Sequence, residues 1–264
     1  MRIVTWNINS LRLRLPLLQK LIAEQAPDII CLQETKCPDE HFPQADIAAM
    51  GYAHQAFAGM KSYNGVAILS KLPLTNIQIT NHCGKTDCRH IAASVLVDGK
   101  EIAVHNLYIP AGGDVPDRAL NDKFGHKLDF VQSAQEYFSQ NNTPHKIAVG
   151  DFNIAPLEHD VWSHKQLQNV VSHTPIEIEQ LTQWHASQNW FDALRHFVPE
   201  NEKLYTWWSY RNQDWRKSNR GRRLDHVWTS QSLKPHTKAM HVLQDARDWP
   251  KPSDHVPVLV DFEF

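Results

Sequence analysis

Long apolar runs are missing from this sequence, and no stretch approaches the roughly 20 apolar residues that a membrane-spanning helix needs. We therefore expect no membrane association. The first residues, MRIVTWNIN, form neither a basic-then-apolar leader nor a small-residue cleavage site, so we expect a cytoplasmic protein. Cysteine is scarce, with four in 264 residues and no CxxC pair. This favours free thiols in a reducing compartment over a disulfide framework or a zinc site.

An excess of positive charge is missing as well. The 27 Lys and Arg residues face 29 Asp and Glu residues, which gives a formal net charge of −2. A uniformly basic surface is excluded, so any binding of a polyanion has to come from a local patch. The sequence also has no repeat, no low-complexity tract and no long Gly/Ser linker. We therefore predict a single domain over residues 1–264, for which 42% hydrophobic residues provide a sizeable core.

Apolar runs alternate with amphipathic segments along the chain. Residues 2–9 are predicted to form a strand, and residues 28–36 a second, apolar strand. Between them a helix is predicted, because apolar residues recur at helical spacing at Leu17, Leu18, Leu21 and Ile22. Strand, helix and strand together predict a βαβ unit with parallel strands. Many strands with interspersed helices predict two packed β-sheets covered by helices, an α/β (α+β) fold. Further helices are predicted near 45–50, 122–140, 176–185 and 190–197, and a polar loop is predicted over 211–223.

Polar side chains follow the apolar run that ends at Val149. Asp151 and Asn153 are two residues apart, so in an extended chain they point the same way, roughly 7 Å apart. Gly150 is expected to open a turn there and Pro156 to close it. A carboxylate and a carboxamide on a rigid strand end can form a polar site; the alternative is a turn in which both bond only to their own backbone.

The same pattern recurs at other strand ends, at Asn7, Asn9, Glu34, Tyr108, Asp225, Asp254 and His255. Each carboxylate buried without a partner would cost several kcal/mol, whereas a hard cation and a phosphate can satisfy the whole set. Glu34 can ligate Mg²⁺ through oxygen. Asp225 can hold the imidazole of His255, whose charged form can neutralise a phosphate oxygen. Asp151 can take a proton from water, and Tyr108 can donate to the phosphate or, when ionised, act as the base. Singly, each residue also has a structural explanation, such as a satisfied strand-end amide or an ion pair.

The segment between residues 201 and 223 is strongly basic. It holds seven basic and two acidic residues, a local charge of +5, with the aromatic residues Trp207, Trp208, Tyr210 and Trp215 interleaved. Cations bind backbone phosphates, and aromatic faces accept an unstacked sugar or base. The alternative is a solvated loop beside a tryptophan-rich core.

Eight segments carry a resemblance to the exonuclease III family of abasic-site endonucleases, within the endonuclease/exonuclease/phosphatase superfamily. They are TWNINSLR, LQETK, SYNGVAILSK, NLYIP, GDFNIAP, YTWWSYR, RGRRLDHVW and KPSDHVPV. The resemblance implies a four-layer α/β sandwich with two packed mixed β-sheets flanked by helices, and one catalytic domain. It also implies Mg²⁺-dependent hydrolysis of the phosphodiester 5′ to an abasic site in duplex DNA. Family members differ in their 3′-phosphatase, 3′-phosphodiesterase and 3′→5′ exonuclease activities.

The resemblance also implies roles for single residues. The metal, Mg²⁺ with Mn²⁺ as a substitute, is implied at Glu34, assisted by Asn7, Asn9, Asp151, Asn153 and Asp254. Catalytic roles are implied for Tyr108, Asp151, Asn153, Asp225 and His255. Contacts to DNA are expected from Arg89, Trp207, Trp208, Arg211, Arg216, Lys217, Arg220 and Arg222. The number of metal ions and the choice of Asp151 or Tyr108 as base stay open.

Two positions depart from the family pattern. Arg222 stands where an apolar or aromatic wall of the abasic-sugar pocket is expected, and Ala111 replaces a polar residue that is usual after Tyr-x-Pro. The ratio of abasic-site cleavage to 3′-end processing is therefore open. The expected partner is double-stranded DNA with abasic sites or blocked 3′ ends, bound by a monomer. Two alternatives are a phosphatase or phosphodiesterase for an inositol phosphate or lipid headgroup, which the basic loop disfavours, and a non-catalytic DNA-binding module, which the complete polar set disfavours.

Overall fold

The structure, a computed structural model, describes residues 1–212 and 214–264. Residue 213, which falls in the predicted loop 211–223, lies outside the described residues. The strands are β1 (Arg2–Asn7), β2 (Ile29–Gln33), β3 (His54–Ala58), β4 (Val66–Ser70), β5 (Thr75–Ile79), β6 (His90–Val97), β7 (Lys100–Tyr108), β8 (Lys146–Asp151), β9 (Phe191–Asp192), β10 (Trp207–Trp208), β11 (Gly221–Arg222), β12 (Asp225–Thr229), β13 (Thr237–Val242) and β14 (Val258–Phe262).

Helices connect and cover these strands. They are α1 (Leu15–Gln25), α2 (Gln44–Ala49), α3 (Asp122–Gln140), α4 (His164–Leu167), α5 (Pro175–Ser187), α6 (Ala193–Phe197) and α7 (Trp215–Ser218). Short 3₁₀ helices lie at Asp39–His41, Glu158–Asp160, Gln231–His236 and Gln244–Asp248. Among the helices of the described ranges, none combines the length and apolar character that crossing a membrane requires.

Most strands of the described residues belong to two six-stranded mixed sheets. The first has the order β13-β14-β1-β2-β4-β3 and the second β5-β6-β7-β8-β12-β9, while β10 and β11 form a separate ribbon. The β1–β2 and β7–β8 pairs are parallel and their neighbours in each sheet are antiparallel. The predicted βαβ unit is therefore present as β1–α1–β2.

Alternation along the strands of the two large sheets assigns most of their apolar residues to one of three core layers. Ile3 points between the two sheets, where it joins Ile29, Val104, Val149 and other inward-facing residues. The next residues along, such as Val4, face the opposite way and pack against α1 and α2. The outer face of the second sheet packs in the same manner on α3 and α5. The result is helices, sheet, sheet and helices, which confirms the predicted four-layer sandwich.

Helix α5 begins one residue earlier than predicted because its N-terminus is capped. Thr174 accepts a hydrogen bond from the Glu177 amide, and the Glu177 carboxylate accepts one from the Thr174 amide. Pro175 occupies the first turn, where its missing N–H costs nothing.

Three local predictions need correction. The helix predicted near 190–197 starts only at Ala193, because Phe191 and Asp192 pair with β12 and the Asp192 side chain caps the helix. The predicted loop at 211–223 contains α7 and β11. Gly150 lies inside β8 and opens no turn: its φ is +139°, and a Cβ there would lie 1.9 Å from the carbonyl oxygen of Leu107.

Candidate active site

The strand registers place three predicted site residues side by side at one edge of the second sheet. Tyr108 on β7 is opposite Asp151 on β8, and Asp151 is opposite Asp225 on β12. In the facing sheet, the ends of the parallel strands β1 and β2 put Asn7 next to Gln33, with Glu34 directly after it. Polar groups from distant parts of the chain therefore meet where the two sheets open, as expected at the carboxyl ends of parallel strands.

Asn7 connects the two halves of this site. Its Nδ2 donates to Glu34 Oε1 at 2.9 Å and to Asp151 Oδ2 at 2.8 Å. The Tyr108 hydroxyl donates to the same Glu34 oxygen at 2.8 Å. The side chains of Asn7, Tyr108 and Asp151 are buried, so these bonds fix the two carboxylates relative to each other.

His255 lies between two carboxylates. Its Nδ1 is 2.8 Å from Asp225 Oδ2, and its Nε2 is 3.5 Å from Asp151 Oδ2. Burial alone lowers the pKa of His255, but the charges of Asp225 and Asp151 outweigh burial and raise the pKa to about 10. The imidazole therefore carries a proton on both nitrogens at neutral pH.

Asp151 has the opposite environment to a surface carboxylate. Burial and, to a smaller extent, the charge of Asp225 raise the pKa of Asp151 to about 7, against the lowering effect of the His255 charge. A carboxyl group that titrates near neutrality is suited to accepting a proton from water. Asn153 orients this group, since its amide N–H donates to Asp151 Oδ1 at 2.9 Å and its Nδ2 donates to Asp151 Oδ2 at 3.1 Å.

Tyr108 remains a neutral phenol in this site. Burial, followed by the charges of Glu34 and Asp151, raises the pKa of Tyr108 well above its ordinary value. Of the two candidates for the base, the structure thus favours Asp151. Arg89 lies behind the ring, 4.6 Å from its centroid, and donates to the carbonyl oxygen of Tyr108 and to Asp87.

Glu34 is held ionised among oxygen atoms. Burial tends to raise its pKa, but the charge of Lys36 and hydrogen bonds from Asn7, Lys36 and Tyr108 outweigh burial, and the pKa of Glu34 is lowered. The ammonium group of Lys36 lies 2.6 Å from Glu34 Oε2 and 2.7 Å from Asn9 Oδ1. Two hard oxygens that already face one cation form a donor set that fits Mg²⁺.

Asp254 completes this side of the site. Its Oδ1 accepts from Asn9 Nδ2 at 3.1 Å and its Oδ2 from Trp207 Nε1 at 2.9 Å. Burial tends to raise the pKa of Asp254, but the His255 charge and these bonds lower it. Asp254 therefore supplies a fixed negative charge next to Asn9.

A second grouping of possible metal ligands, Asp151, Asp225 and His255, has ligand atoms within 4.8 Å of one another. A doubly protonated imidazole has no lone pair for a metal. This trio is therefore better suited to proton transfer, and the oxygens around Glu34 to the cation.

Three of the site residues predicted from the sequence adopt the left-handed backbone region. The φ values are +49° at Asn9, +50° at Glu34 and +52° at Asn153. Asparagine tolerates this region, but for Glu34 it is uncommon. The backbone turns there directly after β2, which aims the Glu34 carboxylate at Asn7 and Tyr108 and not along the strand.

A cleft of about 620 Å³ opens above these groups. Glu34, Asn153, Asp254 and His255 line its inner part. Its walls carry cationic, aromatic and apolar side chains, among them Trp162, Trp207, Arg211, Arg220, Arg222 and Leu224. Four of the predicted DNA-contacting residues, Trp207, Arg211, Arg220 and Arg222, thus face the polar site.

The remaining predicted DNA contacts lie elsewhere. Trp208 is fully buried, with Nε1 bonded to Asn219 Oδ1, so the prediction that it contacts DNA is corrected: a ring without accessible surface cannot stack on a nucleotide. Arg216 is exposed but paired with Asp245 and Asp248. Lys217 is exposed on α7, away from the cleft lining.

Arg223 also contributes nothing to the surface patch. It is 1% exposed and bonds to Asp160 and Asp192. The local positive charge counted from the sequence is therefore only partly available to a ligand.

Sequence reasoning missed two residues that hold the site together. Lys36 pairs with Glu34, and Thr206 Oγ1 donates to Asp225 Oδ2 at 2.6 Å while accepting from the Asp225 amide. Both lie in segments already singled out, LQETK and YTWWSYR. Their side-chain partners depend on long-range register, which the motifs do not encode.

Comparison with known proteins identifies the family of this chain. Residues 4–255 match the Endonuclease/Exonuclease/phosphatase family, and the chain belongs to it. Within that class, the chain is similar to exodeoxyribonuclease III of Haemophilus influenzae, with 29% identity over 276 residues and full coverage of both chains. It is also similar to the solved structure of an AP endonuclease from Archaeoglobus fulgidus, with a TM-score of 0.92, 30% identity and full coverage of both chains. The solved 3′ phosphatase NExo from Neisseria, bound to a product DNA hairpin, has a TM-score of 0.91, 31% identity and full coverage of both chains. The family resemblance seen in the sequence is confirmed.

Proposed function

We propose that this protein is a Mg²⁺-dependent DNA phosphodiesterase that cleaves 5′ to abasic sites in duplex DNA and also removes blocking groups from 3′ ends. The observation that carries the proposal is the pairing of Asp151 and His255, whose pKa values are about 7 and about 10, at the inner end of a cationic cleft. A base beside a permanent cation suits attack of water on a phosphoester. The similarity to exodeoxyribonuclease III and to an AP endonuclease supports DNA as the substrate.

Each residue has a role in this reaction. Asp151 accepts a proton from the attacking water, Asn153 holds the Asp151 carboxylate, and the water oxygen bonds to phosphorus as the bond to the leaving 3′ oxygen breaks. His255 stabilises the negative charge that develops on a phosphate oxygen, and Asp225 keeps His255 charged. Glu34, with Asn7, Asn9 and Asp254 assisting, would hold Mg²⁺, which would supply further neutralisation of charge.

Several finer statements stay predictions. Four of them rest on the sequence alone: Mn²⁺ as a substitute for Mg²⁺, the monomeric state, the cytoplasmic location and a single catalytic domain over 1–264. Exonuclease activity is expected to accompany 3′-end processing, because the same phosphoester chemistry removes a nucleotide or a blocking group.

The test is nicking of a duplex with one abasic site, in Mg²⁺ and in EDTA. We expect cleavage only with the metal, and Asp151→Asn should lower turnover by about 10² to 10⁴-fold while DNA binding in a gel-shift assay is retained. Glu34→Gln should raise the Mg²⁺ concentration required for half-maximal activity. Normal nicking by Asp151→Asn contradicts the assigned roles. Hydrolysis of an inositol phosphate in place of DNA would support the non-DNA alternative.

A further inference from the structure

Three side chains stand in a row along the cleft. Trp207 is opposite Arg222 in the β10–β11 ribbon and forms an isolated bridge with His255 on its other side. Residues directly opposite each other on paired strands present their side chains on the same face. Neighbouring strands lie about 4.8 Å apart, so the backbones of His255 and Arg222 are separated by two spacings, about 10 Å. The cleft thus carries an imidazolium, an indole and a guanidinium in sequence.

The guanidinium of Arg222 is held in one position in this row. Its Nη1 donates to the carbonyl oxygen of Val171 at 2.9 Å and to Ser172 Oγ at 2.6 Å. The guanidinium carbon lies 5.4 Å from the centroid of the Trp207 ring. The Nε of Arg222 is buried without a hydrogen-bond partner within residues 1–212 and 214–264. A guanidinium has five N–H donors, so these two bonds fix the group, and the two donors on Nη2 remain for a ligand.

The residues that bind Arg222 are connected by hydrogen bonds to the loop that follows Asp151. The amide of Ser172 donates to both carboxylate oxygens of Glu177, and Glu177 forms a fully buried ion pair with Lys127 at 2.5 Å. Lys127 Nζ also donates to the carbonyl oxygen of Asn153 at 2.7 Å. The position of Arg222 is therefore coupled to the loop that holds the proposed base. An arginine that only covered the surface would not need such a support.

We propose that Arg222 is a specificity-determining residue that selects 3′ ends carrying a second anionic group, above all a 3′-phosphoglycolate, over an internal abasic sugar. This inference rests on the proposed function. In a phosphoglycolate, phosphorus and the carboxylate carbon are roughly 4 Å apart across three bonds. A phosphoglycolate whose phosphate bonds to His255 therefore carries a second anion further along the row, in the direction of Trp207 and Arg222.

An abasic sugar fits the same row less well. It is larger than the glycolate and uncharged, so it offers no acceptor of matching charge to the fixed guanidinium. Placing it against Trp207 removes water from Arg222 without supplying an anion, and burial of an unpaired charge is unfavourable. A terminal 3′-phosphate is intermediate, because it has extra negative charge but does not extend to Arg222.

The experiment compares three duplex substrates with one preparation of each variant, at fixed Mg²⁺. They are a nick ending in 3′-phosphoglycolate, the same nick ending in 3′-phosphate, and an intact duplex with one abasic site. Arg222→Met, which keeps an unbranched stem and removes the charged guanidinium, should lower the kcat/KM ratio of phosphoglycolate to abasic substrate about 10- to 100-fold. Arg222→Lys, which keeps a positive charge, should lower this kcat/KM ratio by a smaller factor. Arg220→Met is the matched control, because Arg220 also lines the cleft but stacks on Trp162, outside the row; it should leave the ratio unchanged.

The ratio separates specificity from stability, since the folded fraction of an enzyme preparation cancels between two substrates. A ratio in Arg222→Met within about threefold of the wild type overturns the inference, as does an equal fall on all three substrates, which indicates a general phosphate contact. If the wild-type protein cleaves none of the three, the proposed function fails and the inference with it. If it cleaves them and the ratio does not respond, only the inference fails.

Discussion

The charge on His255 should depend on Asp225, and Asp225→Asn tests this dependence. In the wild-type protein, burial lowers the pKa of His255, but the charges of Asp225 and Asp151 raise it to about 10. The imidazolium is then present throughout the neutral range and is lost only as the pH rises through about 10. Removing the charge of Asp225 lowers the pKa of His255. The imidazolium, and with it the activity, should therefore be lost at a lower pH.

The structure sets the size of the shift. Asp225 Oδ2 is 2.8 Å from His255 Nδ1, and a hydrogen bond to a charged group contributes about 1.5–3 kcal/mol. At 1.36 kcal/mol per pKa unit, its loss lowers the pKa of His255 by roughly 1–2 units, to about 8–9. The charge of Asp225 also raises the pKa of Asp151. In Asp225→Asn, the pH below which activity falls because Asp151 becomes protonated should therefore be lower as well.

The assay is the pH dependence of kcat/KM for abasic-site nicking, from about pH 6 to 10.5 at constant Mg²⁺. Thr206→Val is the control, because Thr206 bonds to the same Asp225 oxygen but carries no charge; its basic limb should not move to lower pH. If Asp225→Asn lowers the rate equally at every pH and leaves both limbs in place, the proposed electrostatic link between Asp225 and His255 is refuted.

Three further predictions concern the structure around the site. Asp160→Ala should lower the free energy of unfolding by about 3–5 kcal/mol, because it leaves the buried guanidinium of Arg223 without its main partner, and an unchanged urea midpoint contradicts this. Burial lowers the pKa of His105 to about 3, so its contribution to stability is lost as the pH falls below about 6.5. Between pH 7.5 and 5, His105→Gln should therefore lose about 2 kcal/mol less stability than the wild type in urea titrations, and equal losses argue against it. Trp208→Ala should cost about 3–5 kcal/mol of stability, whereas Trp207→Ala should mainly raise KM for DNA, and the reverse pattern contradicts the assigned positions.

The framework of the site could be predicted because it follows from local periodicity. Apolar runs of strand length mark β1, β2 and β8, and parallel pairing brings the ends of β1 and β2 to one edge. The polar residues after these runs, Asn7, Glu34, Asp151 and Asn153, therefore had to meet other strand ends in a compact fold. Their convergence follows from the strand period, the direction of pairing within each sheet and the packing of the two sheets against each other.

The positions of the aromatic and basic residues could not be predicted in the same way. Trp207 and Trp208 are adjacent in the chain, and the two-residue strand β10 turns one toward the cleft and the other into the core. In the same way, Arg222 at the end of β11 lines the cleft, whereas the next residue, Arg223, is buried. Because the side-chain period of a strand is 2, a register set by distant partners decides which residue is exposed, and composition alone does not reveal that register.

The two carboxylates joined by Asn7 show how one site provides two kinds of acid group. Both lie at strand ends and both are largely buried, yet the pKa of Glu34 is lowered and that of Asp151 is raised to about 7. The difference comes from their neighbours: Glu34 has the charge of Lys36 beside it and accepts bonds from two further donors, whereas the favourable charge of His255 on Asp151 does not fully offset burial. A carboxylate that stays ionised is suited to hold a cation, and one that titrates near neutrality is suited to take a proton. The roles proposed for Glu34 and Asp151 therefore follow from their surroundings and not from the functional group, which is a carboxyl in both cases.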